Sequence, residues 1–219
     1  MTFDFRRKLT VAAAYSDGRF AAFLLESDPL AGKLSLRQRE EIIAGSLHCG
    51  ATAAQQLSER FASAKPAEIA RLLGLRIVAG EMAGPRLVLS AYDPHAATIT
   101  LNRELMAKLK HVLEEERLLP TFDAEELAIA HELFHCLENS DAGIFSRQFK
   151  ITAWRLGPFQ YRSTVQAASE IAATICAKTL CQLVFNPVLL EPVILRWAGA
   201  ESAEAWFDRL ERVTEPASQ

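Results

Sequence analysis

Apolar positions early in the chain recur at helical spacing. Leu36, Ile42, Ile43, Leu47, Ala51, Ala54, Leu57 and Phe61 fall mainly three, four and seven residues apart, which predicts a helix over 35–63 with one apolar face. Pro66 then opens a short helix over 67–73, and Gly74 is placed to end it. Beyond it the period changes. Residues 75–78, 86–90 and 98–101 are short strand candidates, separated by Gly84-Pro85 and by Tyr92-Asp93-Pro94-His95, so a small sheet or meander is expected. Asn102 can cap a charged amphipathic helix that runs to about residue 117, and Pro120 marks its end.

Asp123 is a good N-cap with Glu126 three residues on, and Phe122 can staple to Leu127, so a helix begins at Ala124. It carries His131, Glu132 and His135. Another helix is expected from near Ser163, with Gln166 in the capping-box position, as far as Asn186-Pro187. The stretch 139–162 between them holds Phe145, Phe149, Trp154, Phe159 and Tyr161. It is too long for an ordinary connection, so it is expected to be functional, as a lid or substrate wall, or to contain small elements of its own. Its simplest role is to cover the helix pair. One more helix is expected at 202–213. The fold class read from this pattern is α+β, a small sheet packed against several helices. Its division is a helical segment 1–64, a central domain 65–187 and a helical tail 188–219.

Composition narrows the class. The chain has 219 residues, half of them apolar, with 24 basic against 27 acidic side chains and a net charge of -3. That is a globular chain of one domain with room for an appendage, and it excludes collagen-like, low-complexity and disordered classes. Near-neutral charge argues against nucleic-acid binding by broad phosphate neutralisation. No apolar run approaches the roughly 20 residues that span a bilayer. Arg6, Arg7 and Lys8 precede only a short apolar run at 9–15, which reads as mature protein rather than a signal peptide. Cys49, Cys136, Cys176 and Cys181 form no CxxC pair and suit reduced thiols, so a cytoplasmic location is expected.

The chemistry concentrates in His131-Glu132-Leu133-Phe134-His135, an HExxH pattern. Four residues make slightly more than one helical turn, so both imidazoles leave the same face about 6 Å apart and can grip one zinc ion. Glu132 lies about 100° around the helix, within reach of a water on that ion but displaced from ligand position, and is the candidate general base. Leu127, Ala130, Phe134 and Leu137 supply a core-facing stripe beside it. A catalytic zinc needs a third protein ligand and an open position. Asp141 stands where an HExxHxxGxxD pattern would put that ligand, but Glu138 replaces the turning glycine and no methionine follows Met106 to form a Met-turn. Glu170 is the stronger candidate, because the small residues Ala167, Ala173, Thr174, Ala177 and Cys181 on its face would let the two helices approach closely.

Residues 65–187 resemble the ImmA/IrrE family of zinc metallopeptidases. The resemblance rests on four stretches: Ala67 through Val78; Tyr92-Asp93 leading to Ile99-Thr100-Leu101-Asn102; Ala130 before the HExxH; and Glu170-Ile171-Ala172-Ala173 with Ala177 downstream. It implies a zincin-like fold and zinc on His131, His135 and Glu170. It also implies cleavage or inactivation of a partner transcriptional repressor. The chain departs from the family at Thr174 and Cys176, where an Asn and an aromatic are usual.

An oxyanion donor is also needed for peptide hydrolysis, and Tyr161 is preferred over Arg155, Arg162 and His95. An edge strand beside the metal could pair with an extended peptide. The expected function is therefore a zinc-dependent endopeptidase acting on a specific partner protein, with no direct contact to nucleic acid or membrane. The alternative is a regulatory interaction module in which zinc is structural or vestigial, and the presence of Glu132 favours the enzyme.

Overall fold

The computed structural model describes residues 3–82, 88–156, 159–198 and 200–213, with backbone alone at 153–156, 198, 200 and 201. The fold is α+β and mostly helical. Among the described residues, no helix is long and apolar enough to cross a membrane.

The N-terminal helices are α1 (Phe5–Ala13), α2 (Asp17–Glu26), α3 (Leu36–Arg60) and α4 (Pro66–Leu72). Asp4, Ser16 and Ser35 cap the first three by accepting from the backbone N–H three residues on, and Ser35 with Gln38 completes a capping box. Gly74 follows α4 with φ +78, a conformation that glycine adopts without cost. Three strands come next, β1 (Arg76–Gly80), β2 (Ser90–Asp93) and β3 (Thr98–Asn102), in the order β1-β3-β2. β1 is parallel to β3, and β2 antiparallel to it. The sequence put Tyr92 and Asp93 in a turn; the structure puts them in β2, so the turn begins at Pro94. Residues 86 and 87 of the expected second strand lie outside the described residues.

Asn102 caps α5 (Arg103–Glu116), and Asp123 caps α6 (Ala124–Ser140) by accepting from the N–H groups of Glu125 and Glu126. The expected long connection contains elements of its own: α7 (Phe145–Gln148) and an antiparallel hairpin of β4 (Lys150–Leu156) and β5 (Phe159–Thr164). Its strand pattern is blurred by a register shift between Thr152 and Trp154.

α8 spans Gln166–Leu180, shorter at both ends than the sequence suggested. Ser163 belongs to β5 and cannot act as the cap, and the chain leaves the helix through Gln182 at φ +53. Asn186-Pro187 instead opens a short 3-10 turn. Two helices close the chain, α9 (Leu190–Ala198) and α10 (Ala200–Arg212), where only the second was expected. Pro192 falls in the first turn of α9, where a missing N–H is tolerated.

The cap of α8 comes from far away in sequence. Asp28, buried in the turn after α2, accepts from Leu30 N–H through Oδ1 and from Ala167 N–H through Oδ2, both at 2.8 Å. Asp28→Ala should therefore destabilise the protein by about 1–2 kcal/mol, as cap removal does. A urea midpoint that falls with an unchanged slope would show this.

Side chains from both ends of the chain share one interior. Phe20, Leu109, Leu127, Ala177, Trp206 and Phe207 pack in one cluster, and Leu57, Ile69, Ile99, Leu133, Phe134 and Ala172 in another. α3 and α8 approach until backbone meets backbone. A Cβ on Gly50 would lie 2.2 Å from the carbonyl oxygen of Ala172, and one on Gly45 would lie 2.2 Å from the Phe145 ring. At Gly50 the obstacle is backbone and only glycine fits, whereas at Gly45 the Phe145 ring would have to turn away.

Candidate metal centre

α6 and α8 pack side by side, and their facing residues bring His131, His135 and Glu170 into one group whose donor atoms lie within 4.8 Å of one another. His131 Nε2 and His135 Nε2 are 3.2 Å apart, Glu170 Oε2 lies 3.3 Å from the first and Glu170 Oε1 3.8 Å from the second. Ligands at zinc distances on a tetrahedron stand about 3.3 Å from each other, so two imidazole nitrogens and a carboxylate at these separations suit one such ion. The expected close approach holds in part. Ala173 packs in the cluster with Ile129 and Phe134 of α6, and Ala177 in the one with Leu127 and Ala130, whereas Ala167 faces α2 and α3.

Electrostatics link the three groups. Burial pushes the His131 ring towards neutrality, but the Glu170 carboxylate and then the charge of Glu132 more than offset this and raise its pKa. Glu170 itself is held down to about 2: burial opposes its charge, and the hydrogen bond and charge of His131, with that of His135, outweigh it. Its side chain is nevertheless 54% exposed, so the group opens to solvent.

Glu132 is buried and is not one of the three. Its Oε1 accepts a hydrogen bond from Ser90 Oγ at 2.7 Å, which ties the first residue of β2 to α6. No sequence signal marks Ser90, because the contact joins distant segments. Glu138 is a second residue that sequence reading passed over, noting it only as the replacement for a glycine. Its Oε2 lies 3.4 Å from His135 Nδ1 and accepts from Ser169 Oγ at 2.7 Å, while Ser146 Oγ donates to Oε1. Burial raises the Glu138 pKa, but hydrogen bonds from His135, Ser146 and Ser169 together lower it below the ordinary glutamate value. In the tautomer that carries its proton on Nδ1, His135 would donate to this carboxylate and turn the Nε2 lone pair towards Glu170 and His131. The i, i+3 spacing of His135 and Glu138 was the signal available in sequence.

The other candidates lie elsewhere. Asp141 is the C-cap of α6 and turns the chain by accepting from Gly143 N–H at 2.7 Å. Tyr161 sits half exposed on β5, and Arg162 beside it donates to the Lys150 carbonyl. His95 lies in the turn between β2 and β3, and the side chain of Arg155 is outside the described residues. A cavity of about 290 Å³ opens beside His131, Glu132 and Glu170, and Asp141, Tyr161, Arg162 and His95 are not among its described lining residues. The oxyanion role expected of Tyr161 therefore gains no support from its position. Four cysteines are unpaired thiols, and burial pushes Cys176 and Cys181 up to about 12. No protein-family model, curated protein or solved structure matches the chain.

Proposed function

We propose that this chain is a zinc-dependent endopeptidase of zincin-like fold that hydrolyses a peptide bond in a specific partner protein in the cytoplasm. The observation that carries the reading is the convergence of His131, His135 and Glu170 at tetrahedral spacing, with Glu132 buried beside them and outside the ligand set. The family resemblance supplies the partner class, a transcriptional regulator. Reduced thiols are consistent with the compartment.

His131, His135 and Glu170 would hold the ion, which supplies Lewis acidity towards the scissile carbonyl and the attacking water. Glu132 accepts the proton of that water. Ser90 occupies Oε1, so Oε2 is the oxygen left to take the proton and to return it to the leaving amine. Glu138 fixes the tautomer and tilt of His135. Among the described strands β2 is an edge strand packed against α6, and its outer backbone edge suits pairing with an extended substrate.

Metal analysis should find one zinc per chain, and incubation with candidate regulators and with casein, read by mass spectrometry, should find few cuts. A chain without zinc, or one that digests casein at many sites, would refute the proposal. Stable binding of a regulator without cleavage, unchanged in Glu132→Gln, would favour the interaction module instead. Glu138→Ala should weaken zinc about 10–100-fold in a chelator competition while the helical circular dichroism stays constant, the usual effect of removing an outer-shell partner.

A further inference from the structure

The cavity beside the histidines has a shape of its own. On α6 its wall is Ala124, Ala128 and His131, and on α8 it is Glu170, Thr174 and Ala177. Seven residues of helix on each side make it about 10 Å long. The two helices are traversed in opposite directions, so His131 and Glu170 share one end, while Ala124 and Ala177 share the other. Val188, Leu190 and Ile194 from the C-terminal segment, Leu24 from α2 and Val88 and Leu89 before β2 add apolar lining.

We infer that this slot is the subsite for one bulky apolar side chain of the substrate, of Leu, Met or Phe size, next to the scissile bond. The inference rests on the endopeptidase reading. A volume of about 290 Å³ is at the lower end of ligand pockets, roughly 300–1,000 Å³, which leaves room for a side chain and not for a stretch of peptide. The alanines at 124, 128 and 177 provide the width. Most of the described wall is apolar, and three of its polar groups already have a partner: Glu132 in Ser90, Glu170 in His131, and Glu191 in the Trp206 indole N–H. Among the described residues, no lysine or arginine lines it. A charged substrate side chain would lose its water against this largely apolar wall, whereas an apolar one gains by burial. Leu24, Val188, Leu190 and Ile194 lie outside the stretch that resembles the metallopeptidase family, so the selectivity belongs to this chain.

Two measurements separate this assignment from the reading it rests on. In metal-free protein, toluene and indole should shift the amide resonances of Ala128, Ala177 and Ile194, and Ala128→Phe, which fills the slot, should remove those shifts. Leu24→Phe, at a half-buried position, narrows the slot should the first variant not fold. In zinc-loaded protein, peptides differing only in the residue after or before the cleaved bond should be cut with kcat/KM about tenfold to a hundredfold higher for Leu or Phe than for Ala. Either filled variant should erase that preference. Cleavage indifferent to the side chain, or a preference for Lys drawn by Glu191, overturns the subsite and leaves the endopeptidase intact. Absence of any cleavage removes both.

Discussion

Zinc content should fall from one ion per chain to a small fraction when Glu170 is replaced by Gln, and should be unchanged in Asp141→Asn. The amide keeps the size of the side chain but removes the charge that offsets the ion and halves the oxygen donors. Outer-shell changes alone cost about 10–100-fold in affinity, so loss of a charged ligand should exceed about a hundredfold. Asp141 turns the chain at the end of α6 through Gly143 N–H and stands apart from the grouped donors. Chelator competition on both variants decides the matter. Retention of zinc in Glu170→Gln with loss in Asp141→Asn would transfer the ligand role to Asp141. Folding provides a control, because Glu170 is half exposed and its replacement leaves no buried hole.

Hydrolysis should fall by about a hundredfold to ten-thousandfold in Glu132→Gln, with zinc retained. Gln can still accept from Ser90 Oγ through its amide oxygen, so the position of the side chain survives and only its basicity is lost. A variant of unchanged rate would end the mechanism in which Glu132 carries the proton. Glu132 is buried, and Gln is close to it in volume, so stability is not expected to confuse the result.

Local signals in the sequence led directly to part of this structure. The cap at Asp123, the HExxH spacing and the small residues around Glu170 are all written within a few turns of helix, where side-chain geometry follows from position alone. Legibility failed where a partner is distant. Ser90 meets Glu132 only because β2 lies on α6, and Asp28 caps α8 through the N–H of Ala167, 139 residues after it. A strong local cap at Ser163 was expected for that helix, but the strand β5 claims Ser163 and the cap is delivered from elsewhere. The hairpin of β4 and β5 escaped for a different reason. Its bulge breaks the alternation, and β5 faces largely outward, so no apolar face marks it in the sequence.

Gly50 lies outside the donor group, yet the placement of that group depends on it. Its missing side chain lets α3 lie on the carbonyl of Ala172, two residues from Glu170. Any mutation there pushes α8 sideways and carries the third donor with it, since the clash is with backbone and cannot be relieved by a rotamer. In a survey of random variants scored by zinc content, substitutions at position 50 should therefore score as losses. A chain that kept the HExxH but lost this glycine would keep the motif without the geometry, so the motif alone does not specify the donor group.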